Sequence, residues 1–154
     1  MTIEKLIKPS FSVIGKQGST EDGEGFIASL WADANAHFPE IAHLAKTGED
    51  GSLLGIWGAM SDFSLSFMPW EDNFSRGLYL AGAECSDEAE PPAGWVKWTI
   101  PAFEYLRTEN DRPSAFSDMI AYLKENRITL VGAVQDFTDP ATGKEYMLFP
   151  IRRL

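Results

Sequence analysis

The order in which strand and helix patterns alternate is the feature that most limits the fold of this chain. Runs of β-branched and aromatic residues closed by glycine predict strands, and apolar residues at helical spacing predict two amphipathic helices. The predicted elements are a strand over 11–18, a helix over 26–38, strands over 53–60 and 77–85, an extended segment over 95–109, a helix over 112–126 and strands over 128–137 and 145–153. The order β-α-β-β therefore occurs twice.

Two βαββ units with both helices on one side predict an α+β fold, a two-layer sandwich of one sheet and two helices. The length of 154 residues fits a single domain over 11–154, whose halves run roughly over 11–85 and 95–154. Residues 1–10 are expected to be an N-terminal extension. The second face of the sheet needs a cover, which the aromatic-rich loop 61–76, a ligand or another subunit would provide.

Composition narrows the classes of partner. The chain has five Trp, four Tyr and ten Phe, and ten of these aromatic residues lie between 57 and 105, where they form either core or the walls of an apolar pocket. The net charge of −10 disfavours direct binding of nucleic acid and of anionic membranes. Cys85 is the only cysteine, which fits a reducing compartment, and no signal peptide or membrane span is recognisable, so we expect a cytoplasmic protein.

Motifs for several reactions are absent from the sequence. It contains no phosphate-binding glycine loop and no Gly-x-Ser-x-Gly nucleophile motif. His37 and His43 lack partners at metal-ligand spacing, and Cys85 has no His close to it in sequence. No metal or other cofactor is therefore expected.

Five short blocks occur in an order that resembles a known family. They are 77–84 (GLYLAGAE), 92–95 (PAGW), 98–105 (WTIPAFEY), 136–140 (DFTDP) and 149–151 (FPI). The chain resembles the GyrI-like small-molecule-binding domain, which is also the effector-binding domain of some AraC- and MerR-type transcription regulators. The resemblance implies an aromatic-lined cleft between the two βαββ halves, often with one buried acid. Asp136 matches that acid, with Asp where the family usually has Glu.

The resemblance also implies the nature of the partner. Family members bind hydrophobic or amphipathic small molecules, frequently cationic or polycyclic, and some free-standing members hydrolyse reactive cyclopropane-bearing compounds. Only ten residues precede the first predicted strand, so no helix-turn-helix fits there, and we expect a stand-alone protein without direct contact to DNA.

Alternate residues of a strand lie on the same face of the sheet, and this rule identifies candidate residues for the cleft. Aligning Gly55 with Gly132 places Trp57 and Asp136 on the same side of the sheet, where aromatic rings and a carboxylate would attract a cation. Asp136 has an alternative role as a cap of the turn at 138–140. Glu84 is either a second pocket acid or a solvated strand end. Tyr105 is assigned to the cleft by the resemblance.

Four further residues complete the candidate site. Trp70 lies in the loop 61–76 and is interpreted as a lid over the cleft or as part of a separate apolar cluster. The other three, which would form adaptable walls, are Met60, Phe67 and Met147.

Three functions follow from these candidates. The leading hypothesis is binding of a hydrophobic small molecule, for sensing or sequestration. The alternative is a hydrolase in which Asp136 or Glu84 activates water. The third is a protein-interaction or inhibitor module that uses the exposed sheet face.

Overall fold

A computed structural model describes all 154 residues as one eight-stranded antiparallel sheet with two eleven-residue helices on one face. The elements are β1 (Ile3–Lys8), β2 (Phe11–Ser19), α1 (Phe26–Ala36), β3 (Ile56–Ser61), α2 (Glu71–Phe74), β4 (Leu78–Cys85), β5 (Val96–Ile100), β6 (Phe103–Glu109), α3 (Ala115–Glu125), β7 (Gln135–Thr138) and β8 (Glu145–Arg153). Short 3-10 turns occupy Thr20–Asp22, Phe38–Glu40 and Ala42–Leu44. The predicted α+β fold of two βαββ units is confirmed.

The strand order β1-β6-β8-β7-β3-β4-β2-β5 reveals how the two units interlock. Each βαββ unit is preceded by one strand that pairs with the other unit, since β1 lies against β6 and β5 lies against β2. The segment 1–10, expected as an extension, thus supplies the edge strand β1. The units meet at β3 and β7, which share three residue pairs at the centre of the sheet.

The second half departs from its predicted strand over 128–137. Only residues from Gln135 onward pair in β7, because the preceding backbone bonds elsewhere. The Val131 N–H donates to the Pro150 carbonyl, and the Ala133 N–H donates to the Phe67 carbonyl. The Gln135 side chain then bonds the backbone N–H and carbonyl of Met60, which extends the contact between the halves.

Three apolar clusters hold the layers together. On the helix-bearing face, α1 packs with Ile14, Tyr79 and Ala81, whereas α3 packs through Met119 and Leu123 against its own half of the sheet. The third and largest cluster lies on the opposite face. None of the helices has the length and apolar character that crossing a membrane requires.

The loop 61–76 covers both faces of the sheet. The Asp62 carboxylate accepts hydrogen bonds from the backbone N–H groups of Ser66 and Met68, which folds the start of the loop back on itself. Phe67 packs into the cluster on the helix-free face, and Trp70 crosses to the helix-bearing face. The aromatic loop is therefore one of the covers that the sheet needed.

Candidate functional site

A cavity of about 340 Å³ opens on the helix-bearing face where the two halves of the sheet meet. We call it the helix-face cavity. Its floor includes the central residue pair Gly58 and Asp136. Its remaining lining residues are Trp31, Asn35, Ile56, Tyr79, Asn110, Phe137, Thr138, Glu145 and Tyr146.

The absence of a side chain at Gly58 shapes this floor. A Cβ at position 58 would overlap the hydroxyl of Tyr79 and would lie 3.2 Å from the Cβ of Asp136. Tyr79 can therefore lie flat across β3, and its hydroxyl accepts a hydrogen bond from the indole N–H of Trp31 at 3.0 Å. A residue of β4 and a residue of α1 are fixed together beside the Asp136 carboxyl group.

Asp136 and Glu145 give the cavity a negative charge without a basic partner. Thr138, two residues beyond Asp136, is paired directly with Glu145 across the β7–β8 hairpin, so both acids project to the same face. Neither forms an ion pair in the structure, although the chain contains eleven such pairs elsewhere. Burial, and secondarily the charge of Glu145, raise the pKa of Asp136 from 3.8 to about 7.

Tyr79 supplies a hydroxyl hydrogen that has no acceptor in the protein. Its oxygen accepts from Trp31, and no acceptor lies within hydrogen-bonding distance of its own proton. Burial, followed by the nearby charge of Asp136, raises the pKa of Tyr79 well above its usual value, so the hydroxyl stays protonated at neutral pH. The cavity thus offers two carboxyl groups, one hydroxyl donor and aromatic walls.

Two of the predicted cleft residues lie on the other side of the sheet. Trp57 pairs with Phe137 rather than facing Asp136, and both rings belong to the cluster on the helix-free face. The Gly55–Gly132 alignment was therefore wrong by one residue, and such a slip moves every side chain of a strand to the opposite face. Tyr105 is also on the helix-free face, fully buried, and its hydroxyl has no hydrogen-bond partner.

Glu84 is likewise separated from Asp136 by the thickness of the sheet. Its carboxylate accepts a hydrogen bond from the Trp57 indole at 3.2 Å and forms ion pairs with Lys8 at 3.3 Å and Lys46 at 3.7 Å. The interpretation as a second acid of the same pocket is wrong. The two lysines compensate the negative charge of Glu84, and these ion pairs link β4 to the N-terminal strand and to the loop before β3.

None of the remaining predicted residues lines the helix-face cavity. Met60 and Trp70 line a separate apolar cavity of about 150 Å³. Trp70 packs over Gly77 and donates to the Leu78 carbonyl at 2.9 Å, so it is held in place as part of an apolar cluster. Met147 is paired with Asp136 but is buried beneath α3, and Phe67 is buried on the helix-free face.

Sequence reasoning missed Trp31, Gly58, Tyr79 and Glu145 as residues of the cavity. A usable signal existed for Glu145. The turn at 139–144 closes a hairpin that brings Glu145 opposite Thr138. Glu145 therefore lies on the same face of the sheet as Asp136. Tyr79 carries no such signal, because its role depends on the pairing of β3 with β4 and on the missing side chain at Gly58.

The duplicated βαββ sheet has the fold of the GyrI-like domains. The structure of SAV2435 bound to tetraphenylphosphonium is similar to it, with a TM-score of 0.68 and 18% identity over 99% of this chain and 94% of that one. The EcmrR C-terminal domain has a TM-score of 0.66 and 12% identity over 99% and 98% of the two chains.

A third solved structure shares the same fold. A putative bacterial transcription regulation protein from Staphylococcus aureus MU50 has a TM-score of 0.61 and 16% identity, over 99% of both chains. No family model matches the sequence, and no curated protein does either.

Proposed function

We propose that this protein binds a lipophilic organic cation in the helix-face cavity, with Asp136 and Glu145 supplying the opposite charge. The observation that carries the proposal is the pair of carboxyl groups that lines an aromatic cavity without any basic side chain. Two like charges at one site are unfavourable in the empty protein, and a bound cation would relieve their repulsion.

The lining residues favour an organic cation over a metal ion. No group of three or more His, Cys, Asp or Glu side chains is arranged to hold a metal. The ring of Trp31 instead offers apolar contact and a negative π face, which attracts weakly hydrated cations. The Tyr79 hydroxyl is free to donate to a carboxylate or to a polar group of the ligand. Further support comes from the structural neighbour SAV2435, which was solved with tetraphenylphosphonium.

The test is a titration with tetraphenylphosphonium, followed by calorimetry and by Trp fluorescence. We expect binding at neutral pH, weakened about tenfold or more in Asp136→Asn and less in Glu145→Gln, because loss of one charge partner typically costs more than 1.4 kcal/mol. Glu88→Gln is the matched control, since Glu88 is exposed and makes no ion pair. Undiminished binding by Asp136→Asn, or equal binding of neutral triphenylphosphine oxide, would contradict the proposal.

Hydrolysis is a second candidate function, and one observation favours it. A carboxyl group with a pKa of about 7 is suited to act as a general base at neutral pH, and Asp136 lines the cavity together with a protonated Tyr79. The discriminating measurement is turnover of a strained electrophile. Product in excess of one equivalent per protein would support hydrolysis, and stoichiometric binding alone would exclude it for that compound.

A further inference from the structure

A second cavity, of about 270 Å³, lies beneath α1 and adjoins the helix-face cavity. We call it the α1 cavity. The two cavities share Trp31, Asn35 and Ile56 as lining residues, so these side chains form the boundary between them. The two cavities are therefore neighbours along the helix-bearing face.

Charge is confined to one of these two adjoining cavities. The helix-face cavity contains both Asp136 and Glu145, whereas none of the ten residues that line the α1 cavity is ionisable and eight are hydrophobic. Its walls include Phe38, Ile41 and Trp95. A ligand that fills both cavities therefore needs a charged part and a separate apolar part.

Small residues keep the α1 cavity open. Ala34 is the α1 residue that points toward the sheet, and Ala83 lies beneath it on β4. Neither side chain extends past its Cβ, so space remains between helix and sheet that Leu or Ile would fill. Leu53, from the segment before β3, is a partly buried lining residue of the cavity.

We propose that the ligand of this protein is a single-chain amphiphilic cation, with its head at Asp136 and its hydrocarbon chain in the α1 cavity. This inference rests on the proposed function, because the position of the head requires the cation site. It goes further in naming the shape of the ligand: a compact cation would leave the α1 cavity without apolar contacts. Each methylene group buried there adds favourable transfer free energy.

The experiment compares trimethylammonium compounds that differ only in chain length. Tetramethylammonium, hexyltrimethylammonium and decyltrimethylammonium are titrated below their micelle-forming concentrations, with tetraphenylphosphonium measured in parallel. We expect affinity to rise with chain length by up to about fourfold per buried methylene group. Decyl sulfate, which has the same tail and the opposite charge, is expected not to bind.

Variants locate the chain within the site. Ala34→Leu fills the α1 cavity and is expected to abolish most of the gain from chain length. Ala32→Leu is the matched control, because Ala32 is exposed on the same helix and the substitution should leave the chain-length series unchanged. Leu53→Trp, at another lining position of the cavity, is a second blocking variant in case Ala34→Leu does not fold.

The outcomes separate this inference from the proposed function. If tetraphenylphosphonium binds and Asp136→Asn weakens it, but affinity is independent of chain length, the inference is overturned and the cation site stands. If affinity rises with chain length and decyl sulfate binds equally well, the α1 cavity binds apolar chains, but the cation site and the amphiphilic-cation assignment are both overturned. If none of the compounds binds, both proposals are overturned.

Discussion

Replacing Asp136 with Asn is expected to stabilise the folded protein while it removes a charge of the proposed cation site. The carboxyl group has a pKa of about 7 in the folded state against 3.8 ordinarily, because it is buried beside the negative charge of Glu145. The difference corresponds to a cost of roughly 4 kcal/mol in the free energy of unfolding above pH 7. An Asn amide carries no charge and reaches the open cavity, so it avoids this cost.

The pH dependence of this cost has a definite sign. Between about pH 4 and pH 7 the folded protein retains the proton of Asp136 while the unfolded chain has lost it, so stability falls as pH rises. Below about pH 4 the cost is absent, and above pH 7 it is complete. From about pH 5 to pH 8, the advantage of Asp136→Asn over the unsubstituted protein should grow by about 2–3 kcal/mol.

Urea unfolding at both pH values measures this difference directly. Glu88→Gln provides the control for removal of a negative charge at an exposed position. Other groups also titrate in this range, but they are common to both proteins and cancel in the comparison. An advantage that is equal at both pH values, or a variant less stable than the unsubstituted protein at pH 8, would refute the electrostatic account of the cavity.

Four further outcomes are expected. Tetraphenylphosphonium affinity, measured by calorimetry, should fall about tenfold from pH 8 to pH 6, since Asp136 with a pKa of about 7 loses most of its charge over that interval. Gly58→Ala should weaken binding and lower the melting temperature, because the new methyl group overlaps the Tyr79 hydroxyl. Tyr105→Phe should raise the free energy of unfolding by roughly 1 kcal/mol in urea titrations, because it removes a buried hydroxyl without a partner. Trp57→Phe should lower stability by about 1 kcal/mol but leave cation affinity within about twofold, since this residue lies on the helix-free face.

The layers of the fold could be predicted because local pattern determines them. Apolar residues at helical spacing mark α1 and α3, and strand patterns repeat around them in the same order. The strand β1 was missed because Ile3–Lys8 interleaves charged and apolar residues, as an exposed edge strand does. Its partner β6 lies about a hundred residues further along the sequence, so no local pattern predicts that the two strands pair.

The site could be predicted only in part, because it depends on strand register. Asp136 was singled out by its motif, and the structure places it in the lining of the helix-face cavity. Its partners depend on the three residue pairs that join β3 to β7, and an error of one residue there moved Trp57 to the wrong face. No pattern within either strand distinguishes the two registers, since both faces of β3 are largely buried.

A crystal structure of the complex with tetraphenylphosphonium tests the central claim most directly. The account predicts the cation in the helix-face cavity between α1 and the β7–β8 hairpin, with its charged centre near the carboxyl groups of Asp136 and Glu145 and a phenyl ring against Trp31. A cation bound on the helix-free face beside Trp57 and Glu84, or anywhere away from these two carboxyl groups, would contradict it.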